Sequence, residues 1–224
     1  MNQYPLLYGQ GYFELEQISP GQRLHPEAAQ AFLTMCATAK RDGISLTAYS
    51  SFRSFHTQCV IWNDKWQGKR AILDSASQPL DITKLSDEQK LWAILRWSAL
   101  PGTSRHHWGS DLDFFCPDLI QQAENFALVP ATYLPGGSHF SAYQWVEEHA
   151  LEFGFFFPYR DDLGATAPEP WHISYRPLSE QLQNKHQLHE LTQVIQDAQI
   201  AGKTTILSHL ADIYQHYFKQ INYL

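Results

Sequence analysis

The chain of 224 residues contains only three cysteines, and their positions exclude the cysteine frameworks that hold small secreted domains together. Cys36, Cys59 and Cys116 are an odd number at unrelated spacings and include no Cys-x-x-Cys pair. The sequence therefore predicts neither a disulfide scaffold nor a cysteine zinc knuckle. The three thiols are expected to be free and buried, as in a protein of a reducing compartment.

Long apolar runs and clusters of basic residues are missing as well. No run reaches the roughly 20 residues that cross a bilayer, which excludes a membrane span. The N-terminal stretch has no basic segment followed by an apolar core, so a cytoplasmic location is expected, with the periplasm or the exterior as the alternative. The formal net charge is −7 without a block of Lys or Arg, which argues against a nucleic-acid partner because phosphate binding needs clustered cations.

The remaining composition is that of a folded protein with a packed core. A hydrophobic share of 44% with seven tryptophans predicts extensive burial, and the 17% share of charged residues is too low for a largely disordered chain. Helices are predicted at 26–41, at 55–66, after a Ser86–Gln89 capping box, from a cap at Ser141 to Gly154, and after Pro177; strands are predicted at 44–49, 111–115, from 155, and at 169–174. This irregular order favours an α+β fold over a doubly wound sheet.

The stretch SRHHWGSDLDFF, residues 104–115, carries polar groups suited to a metal site. A catalytic zinc takes three protein ligands, usually His with Asp or Glu, and keeps a fourth position for water. His106 and Asp113 lie on either side of Gly109, which permits a sharp turn. Asp113 precedes two phenylalanines, and a carboxylate at the edge of such apolar territory has to be paired or ligated. His107 offers an alternative imidazole.

A third ligand is expected from the downstream stretch EPWHIS, residues 169–174. If Trp171 faces the core, strand alternation turns His172 towards a cleft. Pro170 disfavours a regular ladder, so a turn or bulge would bring Glu169 to the same site, where a carboxylate can act as the general base of a metallopeptidase. Two histidines and a carboxylate also suit non-haem iron, which leaves the metal open at this point.

Taken together, the two stretches resemble the paired signature SxHxxGxxxD and ExWH of the VanY-like D-alanyl-D-alanine carboxypeptidases, which are zinc peptidases of the wider group that includes the hedgehog fold. The first motif runs from Ser104 to Asp113 and the second from Glu169 to His172. Upstream, AYSSFRSFHTQ is similar to the family segment SGYRS…Q, and GFFFPY is similar to its aromatic strand. The resemblance covers about residues 25 to 178.

The resemblance implies one zinc ion held by His106, Asp113 and His172, with Glu169 as the base that activates the water. It implies that Arg53 binds the substrate near the scissile bond, either at its terminal carboxylate or at the developing oxyanion. The substrate-binding candidates are Gln58, Ser104 and Tyr159.

One residue departs from the family pattern. Asp111 stands where the family often has alanine, and it is expected either to support a ligand histidine or to be solvated outside the site. His107 becomes a neighbour of the site and not a ligand.

The implied fold is α+β, with a small, mainly antiparallel sheet and flanking helices. We expect a zinc peptidase domain at residues 1–178 and a C-terminal helical extension at 179–224, packed on the same domain. The predicted activity is removal of a C-terminal D-amino acid, most naturally D-Ala, from peptidoglycan stem peptides or precursors. The expected partner is a peptide that ends in a D-amino acid, and a monomer is favoured.

Three alternatives stay open beside this prediction. The first is a peptidoglycan endopeptidase, and the second is a non-catalytic binding protein stabilised by a metal; non-haem iron chemistry ranks last. D,D versus L,D specificity and the identity of the terminal residue depend on the shape of the pocket and are left open.

Overall fold

The computed structural model describes residues 5–11, 14–120 and 126–223. The strands are β1 (Glu16–Ser19), β2 (Gln22–Leu24), β3 (Thr47–Ser50), β4 (Asp111–Phe115), β5 (Phe155–Phe156) and β6 (His172–Tyr175). The helices are α1 (Pro26–Arg41), α2 (Phe55–Trp66), α3 (Asp87–Leu95), α4 (Pro130–Tyr133), α5 (Phe140–His149), α6 (Arg176–Lys185), α7 (Leu188–Asp197), α8 (Lys203–Ser208) and α9 (Leu210–Ile213). This architecture confirms the predicted α+β class.

Four of the strands form one antiparallel sheet in the order β3-β4-β6-β5, and β1 and β2 form a separate hairpin. Strand β4 lies at the centre of the sheet, where Asp113 pairs with Ser50 on one side and with His172 on the other. This register brings the two predicted metal motifs together, although they are almost 60 residues apart in the sequence.

Helix α1 shows how the hydrophobic pattern determines these elements. Pro26 occupies its first turn, and the His25 side chain accepts a hydrogen bond from the Glu27 backbone N–H. Its buried face includes Phe32 and Met35, which pack in the same cluster as the apolar face of the sheet. Helix α3 begins with the predicted capping box of Ser86 and Gln89.

Two apolar clusters fill the interior. The first lies between the sheet and helices α1 and α5, and includes Leu112, Phe114 and Ile173. The second joins α2 and α3 to the C-terminal helices, with Trp62 and Leu191 among its fully buried members. The predicted domain boundary at 178/179 stays a prediction; it falls inside α6 and not between elements.

Several predicted boundaries are wrong, each for a local reason. Helix α5 begins at Phe140 after His139, not at a Ser141 cap, and it changes to a 3-10 turn before Gly154. The strand expected at 169–174 begins only at His172, because Glu169 to Trp171 form a turn. The strand predicted from 155 has two residues, and the strand predicted at 44–49 begins at Thr47.

Two further expectations can be compared with the described residues. The three cysteines are free, with Cys59 and Cys116 buried and Cys36 half-buried. None of the helices in the described ranges combines the length and the apolar character needed to cross a membrane.

Candidate metal centre

Three polar side chains meet where β4 and β6 pair. Asp113 and His172 are direct cross-strand neighbours, so their side chains project from the same face of the sheet. His106 joins them from a 3-10 turn, Arg105–Trp108, that leads into β4. One nitrogen or oxygen from each residue lies within 4.8 Å of the others. All three side chains are buried.

His106 is oriented by the backbone of the segment that follows β3. Its Nδ1 donates a hydrogen bond to the Ser51 carbonyl oxygen at 2.8 Å, which leaves Nε2 facing Asp113 Oδ2 at 3.5 Å. Burial lowers the pKa of His106 to about 3, so the imidazole is neutral, as a metal ligand must be. Gly109 ends the turn with φ +66, and a Cβ there would lie 2.8 Å from the His25 backbone nitrogen. This position therefore requires glycine.

His172 is held from the opposite side. Its Nε2 contacts Asp111 Oδ1 at 3.1 Å, and its Nδ1 lies 3.2 Å from Asp113 Oδ1. Burial alone would lower the pKa of His172, but the carboxylates of Asp111 and Asp113 outweigh it and raise the pKa to about 9. A cation bound between these residues would displace that proton.

The separations between imidazole and carboxylate atoms are close to those between ligands of a zinc ion. Bonds of about 2.0 to 2.2 Å place two ligands of a tetrahedral zinc ion roughly 3.3 to 3.5 Å apart. His106 Nε2 lies 3.5 Å from Asp113 Oδ2, and His172 Nδ1 lies 3.2 Å from the other oxygen, Oδ1. The outer nitrogen of each imidazole is already bound to the protein, so both inner nitrogens can act as ligands.

Asp111 is a residue whose role the sequence left undecided, and its fully buried position excludes the solvated alternative. Besides His172, its carboxylate accepts hydrogen bonds from Arg105 Nε at 2.8 Å, from Ser174 Oγ at 3.1 Å and from the Ser110 hydroxyl. Burial would raise its pKa, but Arg105 and His172 hold the pKa of Asp111 well below its usual range. Asp111 is thus an ionised carboxylate that orients His172.

Glu169 lies beside the three residues and not among them. The turn before β6 is closed by a hydrogen bond from the His172 N–H to the Glu169 carbonyl oxygen at 3.0 Å. This turn places Glu169 Oε2 3.5 Å from His172 Nδ1. Burial raises the pKa of Glu169 to about 7, although the charge of His172 opposes the shift. A carboxylate with this pKa can accept and return a proton near neutral pH.

Arg53 is the predicted cation of the site, and several contacts fix its position. Its Nη1 donates to Gln58 Oε1 at 2.8 Å and its Nη2 donates to Ser50 Oγ at 2.9 Å. Its backbone N–H donates to the His106 carbonyl oxygen at 3.0 Å. His107 Nδ1 donates to its carbonyl oxygen at 2.6 Å. Burial lowers the pKa of Arg53, an effect that Asp113 and Glu169 oppose.

A cavity of about 300 Å³ opens over these groups. Its wall includes all three residues of the cluster and Glu169, Arg53, Ser104 and Tyr159. The Tyr159 ring stands nearly perpendicular to the His172 ring with centroids 5.0 Å apart, and burial raises the pKa of Tyr159 well above its usual value.

Gln58 is the predicted site residue that does not line this cavity. It is fully buried behind Arg53, and its Nε2 donates to the Ala99 carbonyl oxygen at 2.8 Å. Its placement suits positioning of Arg53 better than contact with substrate.

Sequence reasoning missed two groups near the site. The support of Asp111 by Arg105 and Ser174 forms only when β4 and β6 pair, although the alternation of Asp111 with Asp113 gave a partial signal. Lys65 also lines the cavity. It lies four residues after Ile61, on one face of α2, and no motif marked it.

Comparison with known proteins adds a family match and curated relatives. Residues 21–178 match the family model described as VanY: D-alanyl-D-alanine carboxypeptidase. The chain is 28% identical over 166 residues to the putative carboxypeptidase YodJ of Bacillus subtilis, and 25% identical over 165 residues to a D-alanyl-D-alanine carboxypeptidase of Enterococcus faecalis. These alignments cover 73% and 72% of this chain but 50% and 52% of those relatives, so the chain spans about half their length.

Solved structures share the fold. VanYB in complex with D-alanine-D-alanine superposes with a TM-score of 0.54 at 22% identity, covering 81% of this chain and 89% of that chain. The vancomycin-resistance D,D-pentapeptidase VanY in complex with Zn(II) gives a TM-score of 0.53 at 24% identity, covering 74% and 80%. At such identities the likeness establishes the fold.

Proposed function

The chain belongs to the VanY D-alanyl-D-alanine carboxypeptidase family, whose model matches residues 21–178, and from this premise we propose that it is a zinc-dependent carboxypeptidase. Its substrates would be peptidoglycan stem peptides or precursors, from which it removes a C-terminal D-amino acid, most naturally D-Ala. The observation that carries the proposal is a metal-ligand cluster, a buried carboxylate and an arginine around one cavity. The relatives with carboxypeptidase names support it.

One zinc ion would be held by His106, Asp113 and His172, whose donor atoms have the spacing described above. When bound there, zinc would polarise the scissile carbonyl and lower the pKa of water to about 7. Two neutral imidazoles and one carboxylate leave a net positive charge at the ion, which favours this chemistry.

The chain's own residues would move the proton and hold the charge. Glu169 would take the proton of the attacking water at its carboxylate and return it to the leaving amine, because it lies on the cavity wall beside the proposed ligands. Arg53 would stabilise negative charge on the substrate, because Gln58 and Ser50 hold its guanidinium rigidly. Ser104 and Tyr159, on the cavity wall, would contact the peptide.

A purely structural metal site does not account for Glu169. A structural site needs only its ligands, whereas this carboxylate lies largely removed from solvent beside the cluster, at a cost in desolvation. The arrangement supports catalysis over the non-catalytic alternative.

The direct test is an assay of the zinc-loaded protein with a stem pentapeptide and a stem tetrapeptide. We expect release of free D-alanine from at least one of them and loss of that activity after removal of the metal by a chelator. Zinc-loaded protein that releases D-alanine from neither peptide would refute the carboxypeptidase proposal. Cleavage restricted to internal bonds of cross-linked fragments would support the endopeptidase instead.

Replacing Asp111 by asparagine is expected to weaken both the fold and the metal site. The change leaves Arg105 buried without its carboxylate, which should lower the free energy of unfolding by about 3 to 5 kcal/mol. His172 loses the charge that orients it, so zinc affinity should fall by about 10- to 100-fold. Denaturant unfolding of the metal-free protein and a competitive zinc titration measure the two effects.

The matched control is Asp118→Asn, which changes an exposed carboxylate shortly after β4. It should leave both quantities near their wild-type values. If Asp111→Asn bound zinc as tightly as the wild type, Asp111 would not be the residue that orients His172.

A further inference from the structure

Lys65 places a positive charge in the wall of the catalytic cavity. Together with Ile61, one helical turn earlier, it belongs to the face of α2 that lines this space. Its Nζ donates a hydrogen bond to Ser98 Oγ at 2.6 Å, which fixes the ammonium group against the wall.

Among the residues that the structure describes, no carboxylate oxygen lies within 4.0 Å of the Lys65 ammonium group. Burial lowers the pKa of Lys65 to about 8, which the charge of Glu169 opposes, so the group is still mainly charged at neutral pH. A partly buried cation with no anion in contact is unfavourable, and an anionic ligand would relieve that cost.

The neighbouring Arg70 is a weaker candidate for binding an anionic ligand. Arg70 also lines the cavity, but its Nε lies 3.3 Å from Asp64 Oδ2 and about half of its side chain is exposed. Its charge is therefore already paired and screened by solvent.

Arg53 and Lys65 line the same cavity from the beginning and the end of α2, respectively. Arg53 precedes α2 and is bound to Ser50, the residue that pairs with Asp113 in the sheet, which places it at the metal end. Lys65 lies in the last turn of α2, and its Cα–Cβ bond tilts back towards the start of the helix. Both cations therefore border the space that a ligand would fill.

A substrate of a carboxypeptidase presents two negative charges to the cavity during the reaction. The scissile carbonyl becomes an oxyanion during attack, and the free terminal carboxylate follows it by one residue, about 3.8 Å between Cα atoms. We propose that the Lys65 ammonium, held by Ser98, binds the free terminal carboxylate of the substrate, and that Arg53 is thereby left for the oxyanion. The assignment rests on the proposed peptidase function and specifies its substrate as a peptide with a free C-terminus. An endopeptidase cuts internal bonds, which have no free carboxylate one residue away.

The test compares two pentapeptides that differ only at the C-terminus, one a free acid and the other a carboxamide. Removal of the last residue of each peptide is followed by mass spectrometry, through the appearance of the truncated product. The proteins compared are the wild type, Lys65→Met, Lys65→Arg and Lys69→Met, all zinc-loaded. For Lys65→Met we expect the ratio of kcat/KM for acid over amide to fall by about 10- to 100-fold, mainly through KM, because one charged hydrogen bond is lost. Lys65→Arg should restore much of the ratio. Lys69→Met, an exposed neighbour outside the cavity wall, should keep it.

The outcomes separate this inference from the function on which it rests. If the wild type cleaves the acid but Lys65→Met keeps the wild-type ratio, or loses acid and amide activity equally, the assignment of Lys65 is wrong while the peptidase stands. A second peptide pair, with diaminopimelate or lysine at the third residue, detects recognition of a side-chain carboxylate. If Lys65→Met loses only a preference for the diaminopimelate peptide, the terminal assignment is also refuted. Cleavage of neither peptide by the wild type refutes the function itself. Thermal unfolding of Lys65→Met serves as the folding check, and its midpoint should not fall.

Discussion

Glu169→Gln is expected to abolish peptide cleavage while the protein still binds zinc. The substitution removes the group that would accept the proton of water, and loss of a general base typically costs 10²- to 10⁴-fold in rate, as an order-of-magnitude expectation. The turn that positions the residue is closed by its backbone carbonyl oxygen and not by its side chain, so the fold around it should persist. The proposed ligands His106, Asp113 and His172 are unchanged.

Two measurements on one preparation check this expectation. Metal content by elemental analysis should stay near one zinc per chain, and release of D-alanine should fall by at least about 100-fold. Glu180→Gln, which neutralises an exposed glutamate in α6, is the control and should match the wild type in both. A Glu169→Gln protein that loses its zinc would identify Glu169 as a ligand and contradict the role of a base.

The elements that the sequence predicted well are those whose signals are local. Helices α1 and α2 have the predicted boundaries because caps and apolar spacing act within a few residues. The shortened strand β5 and the late start of β6 were not predicted, because strand ends depend on where the partner strand stops. The turn that Pro170 suggested is present and brings Glu169 beside His172.

The candidate site shows the same division. The two motifs predicted that His106, Asp113 and His172 form one site. The pairing of β4 with β6 makes Asp113 and His172 cross-strand neighbours. Gln58 and Lys65 lie seven residues apart on the same face of α2, but Gln58 binds behind Arg53 whereas Lys65, about two turns later, lines the cavity. What packs against each turn of α2 is set by distant parts of the chain, so the structure was needed to distinguish these two residues of one helix.

Asp111 illustrates a third case, in which the residue was noticed but its role could not be chosen. A carboxylate two residues before a ligand on the same strand is expected to add charge at the metal. The structure instead directs it at Arg105, Ser174 and the outer nitrogen of His172, so its charge is compensated away from the ligand atoms. Those partners come from separate parts of the chain and meet only in the folded protein.

The adjacent histidines should respond in opposite ways when each is replaced by alanine. His106→Ala removes a ligand nitrogen, so zinc affinity should fall by more than the roughly 10- to 100-fold that loss of a supporting hydrogen bond costs. His107 has no nitrogen free for a metal, because Nδ1 donates to the Arg53 carbonyl oxygen at 2.6 Å and Nε2 accepts from the Gly102 N–H at 3.1 Å. His107→Ala should therefore keep zinc.

His107→Ala has a different cost, which makes the pair a matched experiment. It leaves the partly buried carbonyl of Arg53 and the buried N–H of Gly102 without these partners, which should lower the free energy of unfolding by about 1 to 3 kcal/mol. Because Arg53 is then less firmly held, cleavage should slow even though the metal is present. Zinc titration and denaturant unfolding of both variants decide the matter: zinc lost from His107→Ala and retained by His106→Ala would show that the other imidazole is the ligand.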